Sequence, residues 1–412
     1  MKLNIKSEII QSSFILLIFM NLFNVAGYIF QSISARMLGP SDYGILAVLM
    51  SIIYIFGVPS EAIQTIISKY ATKFSINNED YRIKNLMNRG LKKFLFLGIF
   101  CFFIFSSFSP LIGKILDINT RLILLTGATI IIVFTLPVLR GVLQGMKKFT
   151  ILGTTFLFEG LAKIFFGFTL IFVGLKVYGA IGAIVISFII SFIYSFFVLK
   201  KYLKQEGPEE KIEGIYSYSI PVLITLLCIT LLYSSDVIIA KIFFPLEIVG
   251  QYAVISLLGK IIFFVTSPLT KSMFTLVSER HQKKTGSMDL LRKVILLVFG
   301  MGLIALIFYY FIPEFIISIV FGTNYLTYSG LLYYSGLSIF FLSLTNIITT
   351  YLLSTGNEKK NYFMIPFVIL QISLLYFFHD TLYQFISMLI LSNVFLFLTM
   401  LFILLISIRR NK

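Results

Sequence analysis

The 412-residue chain has no tryptophan, two cysteines and two histidines, and only 13% of it is charged. Each shortage excludes something. His281 and His379 stand far apart in polar loops, so no cluster with metal-ligand spacing can be assembled and no metal site is expected. Cys101 and Cys228 sit inside apolar runs, where they read as small packing residues and not as a disulfide. No G-x-x-x-x-G-K phosphate loop is present, so ATP hydrolysis is not built in. No predicted external loop exceeds about 15 residues, too short to house a catalytic domain. An enzyme is not expected, nor a cofactor. Without tryptophan, anchoring at the membrane interface falls to tyrosines near predicted helix ends, among them Tyr178, Tyr202, Tyr216 and Tyr328.

What the chain has is apolar length. Hydrophobic residues make up 58% of it, more than a soluble domain of this size accommodates. Runs long enough to cross a hydrocarbon core of roughly 30 Å as helices recur throughout, which predicts an all-α integral membrane protein. Twelve spans are expected, at about 9–35, 43–68, 94–113, 122–145, 151–174, 178–199, 216–243, 248–277, 294–313, 328–354, 362–379 and 384–408. The first has a basic flank (Lys2, Lys6) but runs straight into a turn, and is read as an uncleaved helix. With the N-terminus inside, 25 of the 34 basic residues fall in cytoplasmic segments and five in external turns. Both termini are then cytoplasmic. Most of the +16 net charge faces the anionic inner leaflet of the cell membrane, and nucleic acid is not needed to explain it.

The chain is one unit written twice. Ser34 to Gly44 reads S-A-R-M-L-G-P-S-D-Y-G, and a degraded copy reads I-A-K-I-F-F-P-L-E-I-V-G from Ile239. Ala35, Arg36, Pro40 and Asp42 match Ala240, Lys241, Pro245 and Glu247 at an offset of 205; one residue later, Gly44, Ala47 and Val48 match Gly250, Ala253 and Val254. The fourth and tenth spans also end alike, at Val142–Lys148 and Leu352–Lys360. The expected organisation is an N-terminal six-helix lobe at 1–205, a polar cytoplasmic linker at 206–214 and a C-terminal six-helix lobe at 215–412. An even number of spans makes the repeats parallel, related by an axis along the membrane normal.

Three short motifs carry a family resemblance. They are Leu38-Gly39-Pro40-Ser41-Asp42-Tyr43-Gly44; Ser235-Asp236 followed by Lys241, Glu247, Gly250, Tyr252 and Val254; and Gln144-Gly145-x-Lys147. With twelve spans in two halves, the chain resembles the polysaccharide-biosynthesis or oligosaccharide flippases. That is a branch of the superfamily that includes multidrug and toxin extruders and lipid II flippases. The resemblance implies two six-helix lobes around a V-shaped cavity. It also implies movement of a polyprenyl-diphosphate-linked oligosaccharide from the inner to the outer leaflet by alternating access. Partners would be that lipid-linked substrate, membrane lipids and other membrane proteins of glycan assembly. Two rivals share the scaffold: a cation-coupled multidrug extruder, and a non-transporting scaffold for a glycan-assembly complex.

Ionisable groups inside a membrane cost commonly ~2.5–3.5 kcal/mol each, so each needs a reason. Arg140, Lys163, Lys260 and Lys271 are the intramembrane cations, and they are the candidates to hold an anionic diphosphate headgroup. A drug extruder for organic cations would want the opposite sign. Glu159 and Lys163 stand four apart on one helix and can pair. Arg140 and Lys260 show no local partner; Arg140 is near enough to the cytoplasmic end to snorkel, whereas Lys260 is too deep. Glu61, with Gln64 one turn on, is a candidate for coupling to a proton or sodium ion. Asp236, with Lys241 five residues on, reads as a gate or turn contact near the external face or as an ion-coupling carboxylate in the cavity, Glu159 is a further cavity acid, and Arg36 and Asp42 read as a local salt bridge across the first external turn. Pro59 and Pro268 fall at corresponding places in the second and eighth spans and are candidate hinges.

Overall fold

The computed structural model describes residues 2–77, 79–202, 219–283 and 286–410, so the expected linker at 206–214 lies outside it. Every regular element among these residues is helical. That follows from the sequence, because a chain this apolar must satisfy its backbone without water, and a helix does so within one segment. In order these are α1 (Lys2–Ile76), α2 (Asp80–Leu116), α3 (Thr120–Gly127), α4 (Thr129–Gly145), α5 (Phe149–Leu170), α6 (Lys176–Tyr202) and α7 (Ser219–Phe243). They continue with α8 (Leu246–Gln282), α9 (Met288–Phe311), α10 (Pro313–Val320), α11 (Leu332–Ser354), α12 (Met364–Phe377) and α13 (Leu382–Arg410).

Among the described residues ten helical stretches are long and apolar enough to cross a membrane. Two are of double length, Ile18–Ile76 with 59 residues and Phe149–Lys200 with 52, whereas one crossing takes about 20. Each is broken where the backbone turns to positive φ. Gly39 in α1 has φ 74° and ψ 172°, and Gly174 (φ 93°) with Lys176 (φ 45°) separates α5 from α6. Glycine adopts such angles because it has no Cβ to clash. Two of the twelve expected spans therefore lie in each double-length stretch, meeting at its break.

Other departures have local causes. The third span was expected from 94, but α2 starts at Asp80 and runs for 37 residues, about 55 Å. Its extra turns bury Ile83, Leu86, Met87 and Gly90 on one face while carrying basic residues on the other, as an amphipathic extension does. The fourth span is divided between α3 and α4. Between α9 and α11 the chain forms the short α10 and two 3-10 turns that hydropathy does not resolve.

The described helices fall into two compact units. One comprises Met1–Leu38 with Ile52–Ser219; the other comprises Gly39–Ser51 with Ile220–Lys412. Small residues set the packing of the first. Gly153, Gly160 and Gly167, seven apart on one face of α5, lie against Phe19, Ala26 and Phe30 of α1. A Cβ at any of them would come within 2.3, 2.8 or 2.6 Å of those side chains. On α4, Gly141 and Gly145 do the same for the second half of α1, at 2.8 Å from the Gln64 carbonyl and 2.6 Å from that of Ser68. Close backbone approach is a main source of helix association where lipid removes the hydrophobic drive.

In the second unit α8 and α11 form the centre, and buried side-chain amides tie other helices on. Gln371 donates to the Leu232 carbonyl at 2.9 Å, Asn361 to the Thr349 carbonyl at 3.0 Å and Asn393 to Ser338 Oγ at 2.8 Å. Tyr309 donates to the Leu258 carbonyl at 2.6 Å. Within this unit the segment Gly39–Ser51 places Tyr43, fully buried, against Phe321 and Tyr325. The two copies of the repeated turn motif also meet here. Gly44 and Gly250, equivalent by sequence, approach so closely that a Cβ on Gly44 would lie 3.0 Å from the Gly250 nitrogen. A Cβ on Gly250 would lie 1.9 Å from the Pro40 carbonyl oxygen.

Candidate functional site

Each unit buries a group of charged side chains. In the first, Arg140 projects from α4 towards α5 and α6. Its guanidinium donates to Glu159 Oε2 at 2.6 Å, to Ser191 Oγ at 2.9 Å and to Thr155 Oγ1 at 3.2 Å. The ring of Phe156 lies under it, 3.9 Å from the guanidinium carbon. Lys163, one turn beyond Glu159 on α5, is held more loosely, with Nζ 3.9 Å from Glu159 Oε1 and stationed over the faces of Phe23 and Phe188. All three charged residues are buried, with two cations for one carboxylate.

In the second unit Asp236 of α7 faces three donors on α8. Tyr252 donates at 2.8 Å and Ser256 at 2.5 Å, both to Oδ2, and Lys260 donates at 3.2 Å to Oδ1. The donors stand four apart, which stacks them along one helix face. Both partners of the ion pair are buried. A pair taken out of water keeps its charge only if the geometry is good and the spare lone pairs are filled. Here hydroxyl groups fill them.

The structure therefore corrects several readings. Arg140 and Lys260 were expected to have no local partner, yet each is an ion-pair member, and Arg140 is buried rather than snorkelling. Their carboxylates lie 19 and 24 residues away on neighbouring helices, beyond any one-turn spacing rule. The expected Glu159–Lys163 pair is present, but it is the longer of the two that Glu159 makes. Asp236, read as a gate or turn contact or an ion-coupling carboxylate, lies in the buried group with Tyr252, Ser256 and Lys260. His281, read as a loop residue, lies in the last turn of α8.

Lys271 is exposed on α8 and Glu61 is exposed on α1, while Gln64 turns inward and donates to Gln144 Oε1 at 2.9 Å. Arg36 is exposed, Asp42 half-buried and Lys241 buried. Pro59 and Pro268 are inside α1 and α8, which continue past them. Sequence reasoning missed Thr155, Ser191, Tyr252 and Ser256. The last two were within reach, since Tyr252, Ser256 and Lys260 stand four apart on one face of α8. Among the described residues no group of three or more His, Cys, Asp or Glu could hold a metal ion.

Comparison with solved structures places this fold. The inward-facing conformation of a multidrug resistance MATE family transporter of the MOP superfamily superposes with a TM-score of 0.71 at 14% identity, covering 95% of this chain and 98% of that one. An outward-facing conformation of such a transporter gives 0.68 at 14% identity over 97% and 94%. A MATE structure in the straight conformation gives 0.67 at 13% identity over 98% and 96%. No curated protein sequence matches the chain. The fold and, among the described residues, the ten apolar helices define a class, a multi-pass membrane protein built like those transporters, and a family sequence pattern runs through residues 9–281. That pattern is the one of the polysaccharide biosynthesis proteins, and the chain belongs to that family.

Proposed function

We propose that the protein is a flippase of the cell membrane, with both termini cytoplasmic, that moves a polyprenyl-diphosphate-linked oligosaccharide from the inner to the outer leaflet by alternating access. The observation that carries this reading is the surplus of cation in the first unit. Arg140 and Glu159 pair at 2.6 Å, and Lys163 stands 3.9 Å from the same carboxylate among aromatic faces, so two basic side chains share one acid. A buried surplus cation destabilises the resting protein and is offset when an anion arrives. A diphosphate is such an anion, and the family's tie to polysaccharide synthesis supports the glycan attached to it.

The second unit bears on the rival reading. A cation-coupled extruder needs a carboxylate that can exchange its partner for an ion or a drug. Asp236 already has the Lys260 ammonium and two hydroxyls on its oxygens. This favours an anionic substrate over a cationic one.

The test is Lys163→Met in a host lacking the native gene. It removes the surplus charge, roughly conserves volume and leaves the Arg140–Glu159 pair in place. The variant is expected to reach the membrane at wild-type level and to fail to restore surface glycan. Full restoration would remove Lys163 from the substrate path and take the main support from the reading. Resistance to cationic drugs conferred by the wild type would favour the extruder instead.

A further inference from the structure

A pocket of about 830 Å³ opens in the second unit. It lies where the α7–α8 connection, the segment before α11 and the α12–α13 connection converge. Its size is within the roughly 300–1,000 Å³ of small-molecule sites. By the distribution of Lys and Arg along the chain, these connections are external ones.

Its walls are aromatic and organised. The His379 ring stacks on Phe243 with centroids 3.6 Å apart and planes 20° from parallel, and its Nδ1 is fixed 2.7 Å from the Tyr376 carbonyl. Tyr334 and Tyr383 meet edge to face at 5.3 Å. Between these walls stand Asp380 and Thr381. The Asp380 backbone N–H is used by Gln384, and its carboxylate makes no hydrogen bond among the described residues. Thr381 Oγ1 accepts from the Gln384 N–H, which leaves its own hydrogen to donate. No lysine or arginine lines the pocket.

That inventory selects a ligand class. A phosphate or other anion would meet a carboxylate and no side-chain ammonium or guanidinium, so the diphosphate headgroup does not belong here. A cation would suit the carboxylate and the ring faces, but it accepts no hydrogen bond and would leave the spare Thr381 hydrogen unused. A sugar ring uses everything present. Its C–H face carries slight positive charge and lies flat on the negative face of an aromatic ring. Its hydroxyls donate to a carboxylate and accept from a threonine.

We propose that this pocket binds a sugar ring of the glycan, holding it at the external face. The identity of the glycan as transported cargo rests on the flippase reading, whereas the pocket's preference for sugar does not.

The experiment uses the purified full-length protein and saturation-transfer NMR. The probe is the mixture of short neutral oligosaccharides released by mild acid from the host's own surface polysaccharide. Tetramethylammonium chloride and sodium pyrophosphate serve as competitors. The expected result is transfer to sugar ring protons that neither salt displaces, with affinity falling at least about fivefold in Tyr383→Ala and in His379→Ala. Tyr383 is 53% exposed, so its removal leaves the fold intact. Gly300→Ala, whose added Cβ meets nothing within 4 Å, should bind the oligosaccharides as the wild type does. No binding by the wild type, equal binding by both aromatic variants, or displacement by either salt would overturn the proposal. If the oligosaccharides bind as expected while loss of the gene leaves the host's lipid-linked glycans unchanged, the flippase reading fails and the sugar site stands.

Discussion

Replacing Gly250 with alanine is the sharpest structural perturbation available. The added Cβ would lie 1.9 Å from the Pro40 carbonyl oxygen and 2.9 Å from the Pro40 Cα, and both of these are backbone atoms. Neither can rotate away, so α8 and the segment Gly39–Ser51 must part by more than about 1 Å. A gap of that size forfeits about a quarter to a half of each dispersion contact across it. The side chains next to it on both segments, Tyr43, Leu46 and Tyr252, are fully buried. Overpacking commonly costs about 1–3 kcal/mol, and a clash with fixed backbone belongs at or above the upper end, about 3 kcal/mol. For a unit of this size that lowers the apparent melting temperature by about 6–12 °C.

Two controls calibrate it. Gly44→Ala meets the Leu246 carbonyl at 2.8 Å and should cost less, about 1 kcal/mol. Gly300→Ala on α9 meets nothing within 4 Å and should be neutral or stabilising by up to about 1 kcal/mol through helix propensity. The assay is thermal unfolding of the three purified variants in one detergent, followed by loss of the monodisperse peak. Gly250→Ala melting within about 2 °C of wild type would refute the claim that the repeated motif packs against its own copy.

Further outcomes follow from the buried charges. Asp236→Asn should destabilise by about 3–5 kcal/mol because it strands the Lys260 ammonium, and adding Lys260→Met should recover most of the loss in the same melting assay. Arg140→Lys keeps the charge but cannot reach Glu159, Ser191 and Thr155 together; a loss of about 1–2 kcal/mol is expected, and no loss would show that the fork geometry is unimportant. Asn361→Ala removes the donor to the Thr349 carbonyl and should cost about 0.6 kcal/mol or slightly more, a melting shift of a degree or two.

Much of the fold was legible because membrane helices declare themselves by length. The breaks at Gly39 and Gly174 fall where the expected spans meet, since a turn between two helices needs a residue that tolerates positive φ. The duplicated turn motif was visible as two strings of letters, but that Gly44 touches Gly250 was not, because pattern matching shows similarity without adjacency. The charges were legible as types and not as pairs. Lys163 could be matched to Glu159 by spacing along one helix, whereas Arg140 finds Glu159, and Lys260 finds Asp236, only through the packing of α4 on α5 and of α7 on α8. The pocket at Phe243, Tyr334, His379 and Tyr383 was illegible for the same reason: three connections far apart in sequence build it.

The central claim is that this chain moves a lipid-linked glycan across the membrane. It is tested most directly by deleting the gene in its host and quantifying polyprenol-linked glycans in membrane extracts by mass spectrometry. The account predicts accumulation of a complete lipid-linked glycan, reversed by the wild-type gene and not by Lys163→Met. An unchanged pool in a host with no second protein of this kind would contradict it.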